Sequence, residues 1–337
     1  MVISEKEEVV VSASDTSVRR SGRIDGVSGG LYQVRLTDSE EPLTVFCRAK
    51  GSFRHSGMTP LVGDRVIVRC AQGFSTSEQT TAEGGAVIEE ILQRKNALIR
   101  PPISNLHGLF VCMAAAAPAP VLPTIDKLIA IAEYNEIEPY IVIEKCELNR
   151  ASAEALQRIY VTGGFHVFMV SCKENEGVDA LRSFLFENLP GKTAAFAGAS
   201  GVGKSTLMNQ LFPSLALETG GISRKIERGR HTTRSVRLYE NHSDLSPSDA
   251  PIILADTPGF SMLDFERFDF FDKEALPDTF REFRPYLGRC RYTKCTHTKE
   301  EGCAILSAVA DGHIAKSRHD SFLELYNTLK NKKEWDK

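Results

Sequence analysis

The run Gly198-Ala-Ser-Gly-Val-Gly-Lys204-Ser205 has the spacing G-x-x-x-x-G-K-S, the pattern of a loop that wraps a polyphosphate. Its glycines let the backbone turn N–H groups onto phosphate oxygens, and the helix that should follow adds its positive end. Gly198, Ser200, Gly201, Val202, Gly203, Lys204, Ser205 and Thr206 are therefore candidate nucleotide ligands. Lys204 should reach the β- and γ-phosphates, and the Ser205 hydroxyl should hold Mg²⁺. Asp256-Thr-Pro-Gly259 follows an apolar run, which puts Asp256 where a second Mg²⁺-holding carboxylate is wanted and the Gly259 N–H where it can sense a γ-phosphate. Between the two lies Gly229-Arg-His-Thr-Thr233, in the place of a mobile switch loop, whose Thr232 or Thr233 would close on Mg²⁺. Phe260 follows the Asp256 motif, and phenylalanine cannot orient water. Hydrolysis should then be slow until a partner completes the site, with His231 the in-chain group best suited to handle the attacking water. Lys204, His231 and Asp256 are the candidate catalytic residues.

A second constellation is Cys290-x₄-Cys295-x-His297-x₅-Cys303, four soft ligands in one short, charged stretch. Three thiolates and an imidazole make a closed tetrahedral Zn²⁺ site with no open position for catalysis, so the expected role is structural, with one ion per chain. The remaining cysteines, Cys47, Cys70, Cys112, Cys146 and Cys172, stand singly in apolar surroundings, as in a reducing compartment.

Three kinds of element must position these groups. Residues 1–17 read as an acidic, disordered tail. Over 18–95 short alternating strands are expected at 22–25, 31–36, 43–48, 64–70 and 86–92, with a long polar loop at 71–85. That is the pattern of an OB-type β-barrel. Over 96–264 strands and helices alternate, which predicts a parallel sheet covered on both faces. Strands are expected at 109–114, 140–143, 167–170, 193–197, 234–240 and 252–255. Helices are expected at 124–135 with Thr124 as the cap, at 151–161, 177–189 and 206–212. Residues 265–337 read as a helical, zinc-binding segment.

With 337 residues, 42% of them hydrophobic, the chain has material for several domains. No apolar run reaches the length of a membrane span, so a soluble, cytoplasmic protein is expected. The net charge of −3 excludes a uniformly basic nucleic-acid binder. RNA contacts would come from local patches: Arg19, Arg20, Arg23, Arg35, Arg48, Lys50, Arg54, Arg65 and Arg69, or Arg281, Arg284, Arg289, Arg291 and Lys294.

The order of these parts resembles the RsgA (YjeQ) family of ribosome small-subunit-dependent GTPases, a circularly permuted P-loop type. In that family the base-recognition segments precede the phosphate loop. Here Glu144-Lys145-Cys146-Glu147-Leu148 stands where the family has N-K-x-D-L, and Ser171-Cys172-Lys173 where it has S-A-K. Gly63-Asp-Arg-Val66 and Arg94-Lys-Asn-Ala-Leu-Ile-Arg-Pro101 are also similar to segments that close the family's barrel and lead into its GTPase domain. The resemblance implies binding of GTP and GDP, slow hydrolysis stimulated by the small ribosomal subunit, contact with its rRNA, and a part in late maturation, by a monomer. Glu147 keeps the base-reading carboxylate on a longer stem, and Lys145 is retained to cover the base. An ionised Glu144 cannot donate as the family's Asn does, which predicts weaker guanine selectivity. A nucleotide-gated or nucleotide-indifferent RNA-binding assembly factor, and an unrelated ATPase, are the competing readings.

Overall fold

The computed structural model describes residues 17–38, 43–55, 57–71, 86–98, 101–215, 236–256 and 272–331. The chain divides into two compact units, residues 1–60 with 65–93, and residues 61–64 with 94–337.

In the first unit the strands are β1 (Ser17–Ser28), β2 (Leu31–Leu36), β3 (Leu43–Ala49), β4 (Arg65–Ala71) and β5 (Val87–Ile91), with one helical turn, α1 (Ser52–His55), after β3. They pair in the order β1-β2-β3-β5-β4, and β1 also pairs with β4, which closes the sheet into a small barrel. Alternation fills it: Ile24, Val34, Val45, Cys47, Val66, Val68 and Ile88 are fully buried. The β1–β2 hairpin turns on Gly29 and Gly30, both at positive φ, as a two-residue turn of that hand requires. β1 is much longer than expected and starts inside the stretch read as a tail. Its polar first half pairs with β4, and its arginines find acids, Arg19 at Glu90 (3.2 Å) and Arg20 at Asp38 (2.9 Å). Of the expected loop at 71–85, residues 72–85 lie outside the described residues, as do residues 1–16.

The second unit opens with a two-stranded ribbon, β6 (Ala97–Leu98) and β7 (Ile103–Ser104). Buried Asp64 ties it together, accepting from Arg94 through Nε and Nη2 (both 2.7 Å), from the Ser104 hydroxyl (2.6 Å) and from the Leu61 N–H (2.7 Å). Then come β8 (Leu106–Ala114), α2 (Leu122–Tyr134), β9 (Glu138–Glu144), α3 (Arg150–Thr162), β10 (His166–Met169), α4 (Val178–Asn188), β11 (Thr193–Gly198), α5 (Lys204–Leu211), β12 (Arg237–Asn241) and β13 (Ile252–Asp256). The strand order is β10-β9-β8-β11-β13-β12, parallel except for β12. The order reverses between β8 and β11, and the crevice beyond the strand ends at such a point is where open α/β sheets bind ligands. Apolar residues cover the sheet as the uninterrupted runs require, with Phe110, Tyr140 and Phe196 stacked across β8, β9 and β11 at centroid distances of 4.7 and 4.8 Å.

Helix α2 starts before the expected Thr124 cap: its N-cap is Val121, and Pro123 sits in the first turn, where no N–H is needed. Asn149 caps α3 by accepting the Ser152 N–H at 3.0 Å. Helical turns at Leu276–Thr279 and Arg281–Tyr286 precede α6 (Ala304–Ala310) and α7 (Lys316–Lys330), and α7 packs on α2. No described helix is long and apolar enough to cross a membrane.

Candidate functional site

The phosphate loop leaves β11 at Gly198 and enters α5 at Lys204. Gly198 has φ 151°, and a Cβ there would stand 2.2 Å from the Cys112 carbonyl of β8, so only glycine lets the loop leave so close to its neighbour. At Gly203, φ 124°, a Cβ would stand 2.7 Å from Glu144 Oε2. Val202 is buried and anchors the loop in the core, while Ser205 and Thr206 are exposed at the start of α5, two residues earlier than the helix was expected. The Lys204 ammonium donates to the carbonyls of Gly198 and Ala199, both at 2.8 Å, and burial lowers its pKa. Asp256 ends β13, next to β11, with its carboxyl raised by burial against the opposing pull of Arg237.

The other side of the crevice is built from the ends of β9 and β10. Glu144 is buried, and burial pushes its carboxyl up to about 7, against the weaker opposing effects of Cys172, Lys145 and Lys204. Desolvation penalises the charged form, so near neutral pH the carboxyl is divided between a neutral and an ionised state, where the sequence alone suggested an anion. Lys145, at φ 57°, turns the chain and donates to Ala117 O (2.8 Å) and Gly201 O (2.6 Å), which locks this loop to the phosphate loop. Glu147 Oε2 is buried without a hydrogen-bond partner among the described residues. Buried Ser171 accepts the Glu174 N–H at 3.1 Å. The Cys172 thiol lies 3.9 Å from Glu144 Oε2 and is pushed by burial up to about 12. Lys173, beside them in sequence, is exposed and stands 3.7 Å from Glu174.

The Cys/His cluster lies between the 281–286 turn and α6. The ligand atoms of Cys290, Cys295, His297 and Cys303 all lie within 4.8 Å of one another. His297 Nδ1 is 3.5 Å from the sulfurs of Cys290 and Cys303, which are 3.9 Å apart. Tetrahedral ligands with metal–sulfur bonds of about 2.3 Å stand about 3.8 Å apart, so the set fits a four-coordinate ion. His297 has φ 60°, and its carbonyl accepts from His319 Nε2 of α7 at 2.8 Å. Glu300 braces the turn by accepting the N–H groups of Thr296 (2.9 Å), Thr298 (3.0 Å) and Lys299 (3.1 Å). Burial opposes its ionisation, but these bonds and the Thr296 hydroxyl outweigh it and hold its carboxyl at about 2.

The RsgA GTPase family model matches residues 91–266, and the RsgA N-terminal domain model matches residues 21–74. The chain belongs to the RsgA GTPase family. Relatives named small ribosomal subunit biogenesis GTPase RsgA include one from Ruminiclostridium cellulolyticum, 36% identical over 90% of this chain and 91% of the relative. Another, from Caldanaerobacter subterraneus subsp. tengcongensis, is 37% identical over 94% of this chain and 98% of its own. Among solved structures, YjeQ from Thermotoga maritima is similar with a TM-score of 0.73 and 28% identity, covering 94% of this chain and 100% of that one. YloQ, titled a circularly permuted GTPase, has a TM-score of 0.69 and 29% identity, covering 96% and 99%.

The described parts of the crevice come from 144–147, 171–172, 198–206 and 256, which follow or end β9, β10, β11 and β13. His231, Thr232, Thr233 and Gly259 lie outside the described residues. Two features escaped sequence reasoning. Arg150 Nη1 donates to Glu176 Oε1 at 2.5 Å, linking the start of α3 to the loop after β10. Arg281 and Arg284, read as part of a basic patch, instead answer acids: Arg281 donates to Glu133 (2.6 Å) and Glu138 (3.0 Å), and Arg284 to Glu133 (2.7 Å). Charge alone carried no signal for these partners, which lie more than a hundred residues away in sequence.

Proposed function

We propose that the chain hydrolyses GTP in a cycle that controls its binding to the small ribosomal subunit during late maturation, slowly alone and faster on the subunit. The observation that carries this reading is the crevice itself, where the phosphate loop, the Glu144–Glu147 loop and the Asp256 strand end meet at the reversal of strand order. In the nucleotide complex Lys204 exchanges its carbonyl partners for the β- and γ-phosphates, and the N–H groups of 198–206 cradle them. Ser205, Asp256 and one of Thr232 or Thr233 hold Mg²⁺, His231 handles the attacking water, and Gly259 senses the γ-phosphate. Lys145 covers the base, while Glu144, Glu147, Ser171 and Cys172 face its edge.

The division into a barrel (18–95), a GTPase domain (96–264) and a metal-binding segment (265–337) belongs to the same proposal. The metal is Zn²⁺, one per chain, with a structural role, since three sulfurs and a nitrogen leave no open position. rRNA contact falls to the barrel, where Arg48 and Lys50 share a cleft with Tyr32 and Phe53. The protein works as a cytoplasmic monomer. Turnover of GTP, ATP and other nucleotides, with and without small subunits, tests the reading. It requires GTP hydrolysis that the subunit stimulates. Nucleotide-indifferent subunit binding with no turnover would favour an RNA-binding assembly factor instead.

A further inference from the structure

Glu144, the last residue of β9, is 1% exposed, and its Oε1 has no hydrogen-bond partner among the described residues. Its Oε2 abuts the phosphate loop at Gly203. Charged and titratable groups face it from each neighbouring element: Lys145 and Glu147 on its own loop, Lys204 on the phosphate loop, Cys172 after β10 and Cys112 on β8. Neither lysine is bonded to it, since Lys145 donates to Ala117 O and Gly201 O, and Lys204 to Gly198 O and Ala199 O. The Cys172 thiol at 3.9 Å is a weak donor. A buried anion with an unpaired oxygen is costly, whereas a neutral acid carries one donor and one acceptor, the same pair as an amide.

The purines differ at the edge that such a group would meet. Guanine N7 and O6 both accept, whereas adenine offers the N7 acceptor beside an N6 donor. A neutral acid can donate to the guanine edge. An anion there repels guanine O6 and accepts from the adenine amino group.

Resting on the nucleotide reading of this crevice, we propose that Glu144 is a specificity-determining residue that reads guanine as a neutral carboxylic acid, its O–H donating to the N7/O6 edge. The preference for guanine over adenine is then set by one proton.

Glu144→Gln tests this, because glutamine keeps a donor and an acceptor on the same stem and has no proton to lose. GDP and ADP affinities are titrated with Mg²⁺ for the full chain and the variant, and their ratio cancels the ionisation of the phosphates that both ligands share. Because the carboxyl titrates at about 7, the GDP/ADP ratio of the natural chain falls about tenfold between about pH 6 and about pH 8, in step with the neutral fraction. The ratio of Glu144→Gln stays flat, near the natural chain's low-pH value. A flat ratio in the natural chain overturns the inference. So does a Glu144→Gln ratio that matches the natural chain's high-pH value. Calorimetry of the natural chain in buffers of different ionisation enthalpy covers a variant that fails to fold. At about pH 8 GDP binding takes up roughly one proton more than ADP binding, and equal proton counts overturn the proposal. A chain that binds neither nucleotide at any pH overturns the nucleotide reading, and the inference with it.

Discussion

The nucleotide crevice and the metal cluster are both built from residues with diagnostic spacing, yet they are held in opposite ways. The crevice draws on 144–147, 171–172, 198–206 and 256, brought together at the ends of parallel strands, of which β9, β11 and β13 are buried along their length. Its side chains decorate a fold that stands without them. The metal cluster takes all four ligands from residues 290–303, a stretch of turns with no helix or strand before α6 begins at Ala304. There the ligands are the fold, helped by Glu300 within the turn and by His319 from α7. A crevice residue should therefore be separable from stability, and a cluster residue should not.

The largest effect is expected at the cluster. Cys295→Ser or chelation should release about one zinc per chain and open residues 290–303 to protease, because structural zinc contributes on the order of 10 kcal/mol to small segments near neutral pH. GDP affinity should change little. Metal analysis with limited proteolysis checks this, and an unmetallated chain with undiminished protease resistance would erase the contrast between the regions.

In the crevice, Lys204→Ala should lower subunit-stimulated GTP turnover about 10²-fold or more, since on the proposed reading it removes the charge that meets the developing phosphate charge. Its unfolding free energy from urea titration should stay within about 0.5 kcal/mol of the parent's. Turnover near the parental value would remove the phosphate loop from the mechanism.

Arg318 ties the turns before the cluster to helix α2, and it sharpens the comparison. It is 1% exposed on α7 and donates to Asp126 of α2 (2.6 Å) and to Glu282 (2.6 Å) in the turn that leads to the cluster. Arg318→Met would leave two buried carboxylates without their counter-ion, which costs about 3–5 kcal/mol by denaturant unfolding. A loss below about 1 kcal/mol would mean that the helices hold the C-terminal turns without this network.

An effect of similar size, spread over a pH range, comes from the residue that breaks the rule, Glu144, which lies in the crevice and in the core alike. Its folded pKa is raised, from 4.5 to about 7, so its contribution to stability is full below about pH 4.5 and is lost as pH rises through about 7. Unfolding without nucleotide should show about 3 kcal/mol of stability lost across that window on this account, and Glu144→Gln should remove that part of the slope. Equal slopes in the two proteins would show that Glu144 is solvated in the folded chain.

Much of this protein was legible from spacing alone. The phosphate loop had to lie between a strand and a helix, because glycines at 198 and 203 followed by Lys204 suit no other geometry, and β11 and α5 flank it. The Cys/His cluster was equally local, since four ligands within fourteen residues can meet without help from the rest of the chain. Uninterrupted apolar runs announced the covered strands, and alternation announced the barrel. The misses were long-range pairings that leave no local pattern. The polar first half of β1 becomes a strand through its partners on β4 and acids such as Asp38 and Glu90. Arg281, Arg284 and Arg318 are indistinguishable in sequence from solvated charges until helices α2 and α7 bring Glu133 and Asp126 to them. Glu144 is the sharpest case. Its residue type declares an anion, but whether a carboxyl is ionised depends on how much water and how many donors surround it, and only the closing of β8, β9 and the phosphate loop around it decides that.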